Sequence, residues 1–363
     1  MKIRLCDEKN SWNRGVLELG GSLYQSWQWG ELRSLEGWKP WRILAEDGEE
    51  VLGAVQILER RLPILGVCVM YAPRGPLWRK SNPAVLPQLT DWLKGFSLKR
   101  RAACLRADPE ILDADESTKE QLKAVGFRHL HEDQWSIWNL PRAIMIVDLR
   151  PSIEELMQRM HRKRREHVRQ AMRGKLEFEC GSSPEHLRDL YNLLNLTGER
   201  RGFAVRGMEH FLQIGRILFQ DQQGQVILAR HQGKIVAGLG LAIFGKNCYA
   251  LNSGSDWQFR NLRGSEAVEW KGIEWAKGSG CFEFNMVGAS TNYPPQEGNY
   301  GYGLYRFKKE FGADLHFYIG YFDLVTNSFS YKLFTHVVRK YGGKAWKAFA
   351  GFMPLLRRIK DSK

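Results

Sequence analysis

The chain has 363 residues, of which 43% are hydrophobic and 26% charged; these are the proportions of a globular protein, and the length points to two domains. No apolar run approaches the ~18 to 20 residues of a membrane span, and the opening MKIRLCDEKNSWNRG lacks the apolar stretch of a secretory signal, so a cytoplasmic location is expected. Lys plus Arg exceed Asp plus Glu by 54 − 40 = 14, which favours a polyanionic partner such as RNA, a phosphorylated metabolite or an acidic membrane surface.

In chain order, the first clear element is WRILAEDGEEVLGAVQIL (41 to 58). It reads as two strands joined by a tight turn at Asp47-Gly48, because apolar runs flank a turn dipeptide. The strand VCVMYAPRGPLW, the helix AVLPQLTDWLKGF and the strand AACLRADP follow. A domain boundary is expected near Asp148 to Pro151, where MIVDLRPSIEEL passes from strand to turn to helix.

That helix opens on a capping box, Ser152 with Glu155, and is expected to run on to Gly174. At about 100° per residue, Ile153, Leu156, Met157, Met160, Val168 and Ala171 share one face. Arg159, Arg162, Arg165, Arg169 and Arg173 fall opposite, as a solvated face or as a phosphate-binding stripe. Arg164 is placed toward the apolar side, from which it either snorkels to the surface or reaches into a cleft.

QVILARHQGKIVAGLGLAIF (225 to 244) then repeats the first hairpin, with Gly233 in the turn and Gly238 where the first copy has Gly53. The strand NCYALNSGS, the helix GSEAVEWKGIEWAKGSG and the strand CFEFNMVG continue the same order. Two mixed α/β units of one plan are therefore expected. The six cysteines (Cys6, Cys68, Cys104, Cys180, Cys248, Cys281) contain no C-x-x-C pair, and His129-x-His131 lacks further ligands, so neither a disulfide framework nor a metal site is predicted.

Several stretches resemble, in order, the Fem family of nonribosomal peptidyltransferases. They are YQSWQWGELRSLEGW (24 to 38), MYAPRGPLW (70 to 78), LRADPE (105 to 110), the basic helix with HVRQAMRGK, TGERRGF (197 to 203), YALNSGSDWQFRNLRGSEAVEW (249 to 270) and YGLYRFKKEFGADL (302 to 315). The resemblance implies two tandem N-acetyltransferase-like domains with mixed sheets flanked by helices. The first spans 1–149 and is completed by 326–363; the second spans 150–325. Residues 204 to 248 leave no room for the coiled-coil arm of some members. Arg33 stands where family members commonly have Lys, and Arg201 where an acidic residue is common.

The resemblance also implies aminoacyl transfer from aminoacyl-tRNA to the side-chain amine of a peptidoglycan precursor, either UDP-MurNAc-pentapeptide or lipid II, by a monomer. Aminolysis of an aminoacyl ester runs downhill, so no cofactor is expected. Three tasks remain. Arg33 from one domain, with Arg200 and Thr197 from the other, would grip the precursor's diphosphate, and Tyr249 is a lesser contact. Asp108 is the carboxylate to test as base for the acceptor amine. Lys308, flanked by Phe307 and Phe311, resembles the family lysine that stabilises the oxyanion. Arg162, Arg165 and Arg169 are the candidates for docking tRNA.

Two other classes stay open. An acyl-CoA-dependent N-acyltransferase acting on an envelope polysaccharide precursor shares the fold but needs a glycine-rich pyrophosphate turn, and FRNLRGSEA puts Arg263 where glycine belongs. A non-enzymatic RNA-binding protein would account for the charge, but no aromatic RNA-binding signature is present. The C-terminal YKLFTHVVRKYGGKAWKAFAGFMPLLRRIK suits either a closing helix or contact with the inner membrane leaflet.

Overall fold

The computed structural model describes residues 1–62, 67–130, 140–220, 223–289, 293–299 and 301–341. His131 and the tail from 342 onward lie outside the described residues. The chain forms two compact units: one holds Met1–Gly20, Gly37–Leu140 and the chain from Ile319 onward, and the other holds Gly21–Glu36 and Pro141–Tyr318.

The first unit contains β1 (Lys2–Leu5) and α1 (Lys9–Glu18). After an excursion into the second unit that carries α2 (Trp27–Ser34), it resumes with β2 (Lys39–Asp47), β3 (Glu50–Leu62), β4 (Val67–Ala72), β5 (Leu77–Trp78), α3 (Val85–Lys99), β6 (Ala102–Ala107), α4 (Glu116–Ala124) and β7 (Phe127–His129). The second unit contains β8 (Ala143–Asp148), α5 (Ile153–Arg159), α6 (Arg162–Arg173), β9 (Glu177–Gly181), α7 (Pro184–Arg201), α8 (Met208–Leu218), β10 (Gly224–His231), β11 (Lys234–Phe244), β12 (Asn247–Ser255), α9 (Gly264–Gly278), β13 (Glu283–Gly288), α10 (Tyr302–Glu310) and β14 (Asp314–Phe317). The chain then returns to the first unit as β15 (Phe322–Val325) and α11 (Ser328–Tyr341).

The sheets run β1-β2-β3-β4-β6-β15-β7, with β5 on β3, and β14-β8-β13-β12-β11-β10-β9. Both have the plan read from the repeated sequence. A hairpin leads to a strand, a helix crosses over, and the next strand pairs in parallel: β4 with β6 and β12 with β13. Both hairpin turns fall where the sequence places them, by different chemistry. Gly48 leads its turn at φ 59°, whereas Gln232 and Gly233 both take positive φ (50° and 77°), as a type I′ turn requires. Period-two alternation builds two cores on the second sheet. Val226 and Leu228 pack under α7 and α8 with Leu190 and Leu193, while Ile227 and Ala229 face the opposite cluster with Trp270, Ile273 and Phe284.

Three expected boundaries change. The strand Ala143–Asp148, assigned to the first domain by the boundary at 149, sits inside the second sheet between β13 and β14. Residues 21–36 also belong to the second unit: Leu23 N donates to the Tyr249 hydroxyl (3.2 Å), and the rings of Tyr24 and Tyr249 meet edge to face. The return to the first unit occurs before 326, since β15 bonds to β6 and β7. Within that unit Arg106 and Asp323, both fully buried, are strand partners joined by two hydrogen bonds of 2.8 and 2.7 Å, and the Tyr331 hydroxyl donates to the same carboxylate.

The basic helix is two helices rather than one. Met160 and His161 are extended (ψ 147° and 137°), because Met160 is buried in the core and the His161 amide donates to the Glu310 carbonyl at the end of α10. The capping box on Ser152 and Glu155 is present. Arg159 therefore leaves the stripe, and Arg162, Arg165, Arg169 and Arg173 remain on α6.

Candidate active site in the second unit

The ladder between β12 and β13 ends at Tyr249 and Asn285. Beyond it, Val287 adopts φ 53°, an uncommon conformation for a β-branched residue, and its amide is held by the Asn285 side chain (2.8 Å). The pairing of β13 with β8 shifts register over the same residues. The carbonyls of Met286 and Gly288 at this irregular strand end both accept from Nζ of Lys308, the latter at 2.5 Å.

Lys308 is 6% exposed, whereas its neighbour Lys309 lies on the open face of α10. Burial is the largest influence on its ammonium and lowers it to about 8, against the pull of the Glu269 carboxylate. An ammonium has three donors. Two are taken by main-chain carbonyls, which leaves one N–H without a partner among the described residues.

Arg164 closes the same region. Its guanidinium binds Glu266 on α9 (2.6 Å) and Glu310 on α10 (2.7 Å) and lies over the Phe307 ring at 4.5 Å. Of the two placements open to it in the sequence, it takes the inward one. Phe307 also packs against Phe311 (5.1 Å between centroids). One arginine thus ties α6 to α9 and α10 and covers an aromatic wall beside Lys308.

A second basic group forms where α2 packs against α8. Arg33 is ion-paired with Glu36 (2.5 Å), and Arg206 and His210 contact the same carboxylate, the imidazole at 3.6 Å. Burial, then Arg206 and Arg33, lowers the His210 imidazole, so it is mainly neutral at pH 7. Burial and then Arg33 lower the Arg206 guanidinium. Two guanidiniums and an imidazole thus converge on the Glu36 carboxylate. Arg206 and His210 escaped sequence reading because what singles them out is a contact with Glu36 across about 170 residues of chain.

The remaining candidates separate. Thr197 is buried and its hydroxyl is used internally, donating to Leu193 O (2.9 Å) and accepting from Ser255 N (3.0 Å), so it fastens α7 to β12. Arg200 is exposed and lies over Trp257 (4.7 Å). Tyr249, 1% exposed, turns its hydroxyl to Leu23 N, so its geometry is that of a brace. Arg162 and Arg165 are tied to Glu166 (3.0 Å) and Gln158 O (3.2 Å), and Arg169 is exposed.

Asp108 belongs to the first unit. It is 2% exposed, accepts from the Tyr71 hydroxyl (2.8 Å) and the Arg74 amide (2.7 Å), and faces the Arg74 guanidinium at 3.6 Å. Burial raises its carboxyl to about 6 despite Arg74. Arg74 itself stands at φ 55°, so the carboxylate fastens a turn of unusual backbone. That geometry suits a clamp better than a base facing substrate.

A family model described as the FemAB family matches residues 17–230 and 220–339. A curated relative, lipid II:glycine glycyltransferase of Staphylococcus saprophyticus, is 25% identical over 88% of this chain and 92% of its own; the protein of the same name from Staphylococcus haemolyticus is 24% identical, over 87% and 91%. Among solved structures, the crystal structure of FemX superposes with a TM-score of 0.85 at 23% identity, covering 92% of this chain and all of that one. A tandem GNAT protein from the clavulanic acid biosynthesis pathway superposes at 0.54 with 11% identity, covering 90% and 98%.

Proposed function

The chain belongs to the FemAB family, and from that premise we propose that it is an aminoacyltransferase, moving an amino acid from aminoacyl-tRNA to the side-chain amine of a peptidoglycan precursor stem peptide and so building an interpeptide bridge. The observation that carries this reading is the Lys308 ammonium, buried beside Phe307 with two donors spent on Met286 O and Gly288 O and one left over.

The chemistry follows from that donor. The acceptor's neutral amine attacks the ester carbonyl carbon; a C–N bond forms and the carbonyl π pair moves onto oxygen. A fixed N–H in a dry site stabilises that oxyanion. The intermediate collapses by breaking the C–O bond to the ribose, and the proton lost by the attacking nitrogen leaves on the ribose hydroxyl. Phe307 and the guanidinium covering it exclude water that would hydrolyse the ester.

Arg33, with Arg206 and His210, is the proposed grip for the precursor's diphosphate, and exposed Arg200 is a further contact. Lipid II is the favoured acceptor, since the named relatives act on it; UDP-MurNAc-pentapeptide is its alternative. Asp108 is assigned to the Arg74 turn and Thr197 and Tyr249 to internal bracing. On this reading the enzyme works at the inner face of the membrane without spanning it: among the described residues no helix is long and apolar enough to cross.

On α6, exposed Arg162 and Arg169 with half-buried Arg165 are the proposed dock for tRNA. Replacing Arg162, Arg165 and Arg169 together by Gln is expected to raise KM for aminoacyl-tRNA about tenfold or more at physiological salt, because each lost phosphate contact weakens binding and its salt dependence. The KM for the precursor should stay constant. Initial-rate transfer assays with each substrate varied in turn test this; an unmoved tRNA KM would leave α6 as a solvated surface.

A further inference from the structure

Glu269 is a buried carboxyl that the reaction above does not use. It lies in the first half of α9, is 6% exposed, and its Oε2 has no hydrogen-bond partner among the described residues. A carboxylate left so in a core is costly unless a charge faces it.

The fold brings the end of β13 that holds Lys308 to the level of Glu269. β12 and β13 are parallel and α9 is their crossover, so α9 runs antiparallel to β13 and its amino-terminal half overlies the carboxyl end of that strand. Gly272 fixes the register: a Cβ there would meet Leu239 at 2.8 Å and Phe284 at 3.2 Å. Glu269 is three residues earlier on the same face, about 4.5 Å back along the helix. Met286, whose carbonyl holds Lys308, is two residues beyond Phe284, about 6.6 Å along the strand in the same direction.

The neighbouring charged groups are otherwise engaged. Arg164 and His167 on α6 both turn to Glu266 (2.6 and 3.4 Å), and Arg164 also binds Glu310, which Arg306 approaches at 3.8 Å. Lys309 points to the open face of α10, and Glu283 stands at the far end of β13. From β12 the titratable neighbour is Cys248, a thiol pushed well above its usual range by burial, with Cys281 and Glu269 adding to it, and therefore uncharged.

We propose that Glu269 is the positioning residue for Lys308: from the sheet-facing side of α9 its carboxylate holds the ammonium charged and directed at the end of β13. The assignment rests on the oxyanion role given to Lys308 above. Burial pushes the Glu269 carboxyl up to about 7 and Lys308 opposes that rise. Because burial lowers Lys308 to about 8, its positive charge is present below that pH and lost above it. Removing the carboxylate removes the influence that resists this loss, so the ammonium should discharge at lower pH.

The test is Glu269→Gln in the full chain, assayed from pH 6 to 9 with aminoacyl-tRNA and lipid-linked muramyl pentapeptide. Expected are an alkaline limb moved down by about one pH unit, so that kcat falls about threefold at pH 7.5 and about tenfold at pH 9 with little change in KM, and a limb between the two positions with Glu269→Asp. A Glu269→Gln profile that superposes on the wild type, or a uniformly lower rate with an unmoved limb, overturns the proposal; the second result would mean a packing role only. Should Glu269→Gln not fold, the same limb is read in Glu269→Asp, where the greater separation of the charges still moves it and an unmoved limb again overturns the assignment. Lys308→Met separates the two levels. If it keeps the wild-type kcat, the oxyanion role fails; if it is inactive while Glu269→Gln titrates normally, only the role of Glu269 fails.

Discussion

Replacing Lys308 by methionine lowers kcat about 100- to 1000-fold while KM for both substrates stays within about twofold. Methionine keeps the unbranched stem without a donor, so the loss isolates the ammonium from its packing. The split between kcat and KM follows from timing. The N–H left over after Met286 O and Gly288 O are satisfied meets little charge on a ground-state ester carbonyl and a full one on the tetrahedral intermediate. An interaction realised only at the transition state appears in kcat. Steady-state kinetics on purified variant settle it; a loss confined to KM would make Lys308 a binding residue.

Replacing Asp323 by alanine destabilises the first unit by about 3–5 kcal/mol. The figure follows from asymmetry rather than from the strength of the pair. Arg106 and Asp323 are both fully buried, so deleting the carboxylate takes from a core guanidinium the counter-charge that accepts two of its hydrogen bonds. Burial opposes the Arg106 charge, and Asp323 more than restores it. Changing both partners, Arg106→Met with Asp323→Leu, should recover most of the loss, because the desolvation cost then disappears together with the attraction. Urea unfolding of the single and double variants checks this, and a single-variant loss below about 1 kcal/mol would contradict it. The pair also joins β15 to β6, so its loss should free the returning strand before the rest of the sheet.

Legibility in the sequence tracked the range of the interactions involved. Local chemistry was visible: the turns at Gly48 and Gly233, the Ser152 capping box, and the repeated hairpin, strand, helix and strand that generate two sheets of one plan. The break at Met160 and His161 was hidden because Met160 keeps its core phase across two extended residues, and the cause, a hydrogen bond to Glu310, lies some 150 residues away. The same limit concealed the transfer of 21–36 to the second unit, which depends on Tyr24 and Leu23 meeting Tyr249.

At the site, the likeness of YRFKKEFG to a family motif singled out Lys308, and the structure adds the burial that sets it apart from Lys309. One is buried against β13 and the other open on the same helix. Glu269 carried no sequence signal, since a glutamate between Val268 and Trp270 reads as an ordinary helix position. Asp108 illustrates the converse: LRADP marked a conspicuous carboxylate, and the fold spends it on Tyr71 and Arg74.

The most direct measurement is the mass of the precursor after incubation of the purified protein with a pool of charged tRNA and lipid-linked muramyl pentapeptide. The account predicts a gain equal to one aminoacyl residue or a small multiple of it, located on the stem-peptide side-chain amine and abolished when the tRNA is digested with RNase beforehand. A precursor of unchanged mass, or a gain that survives RNase and follows added acyl-CoA, would contradict it.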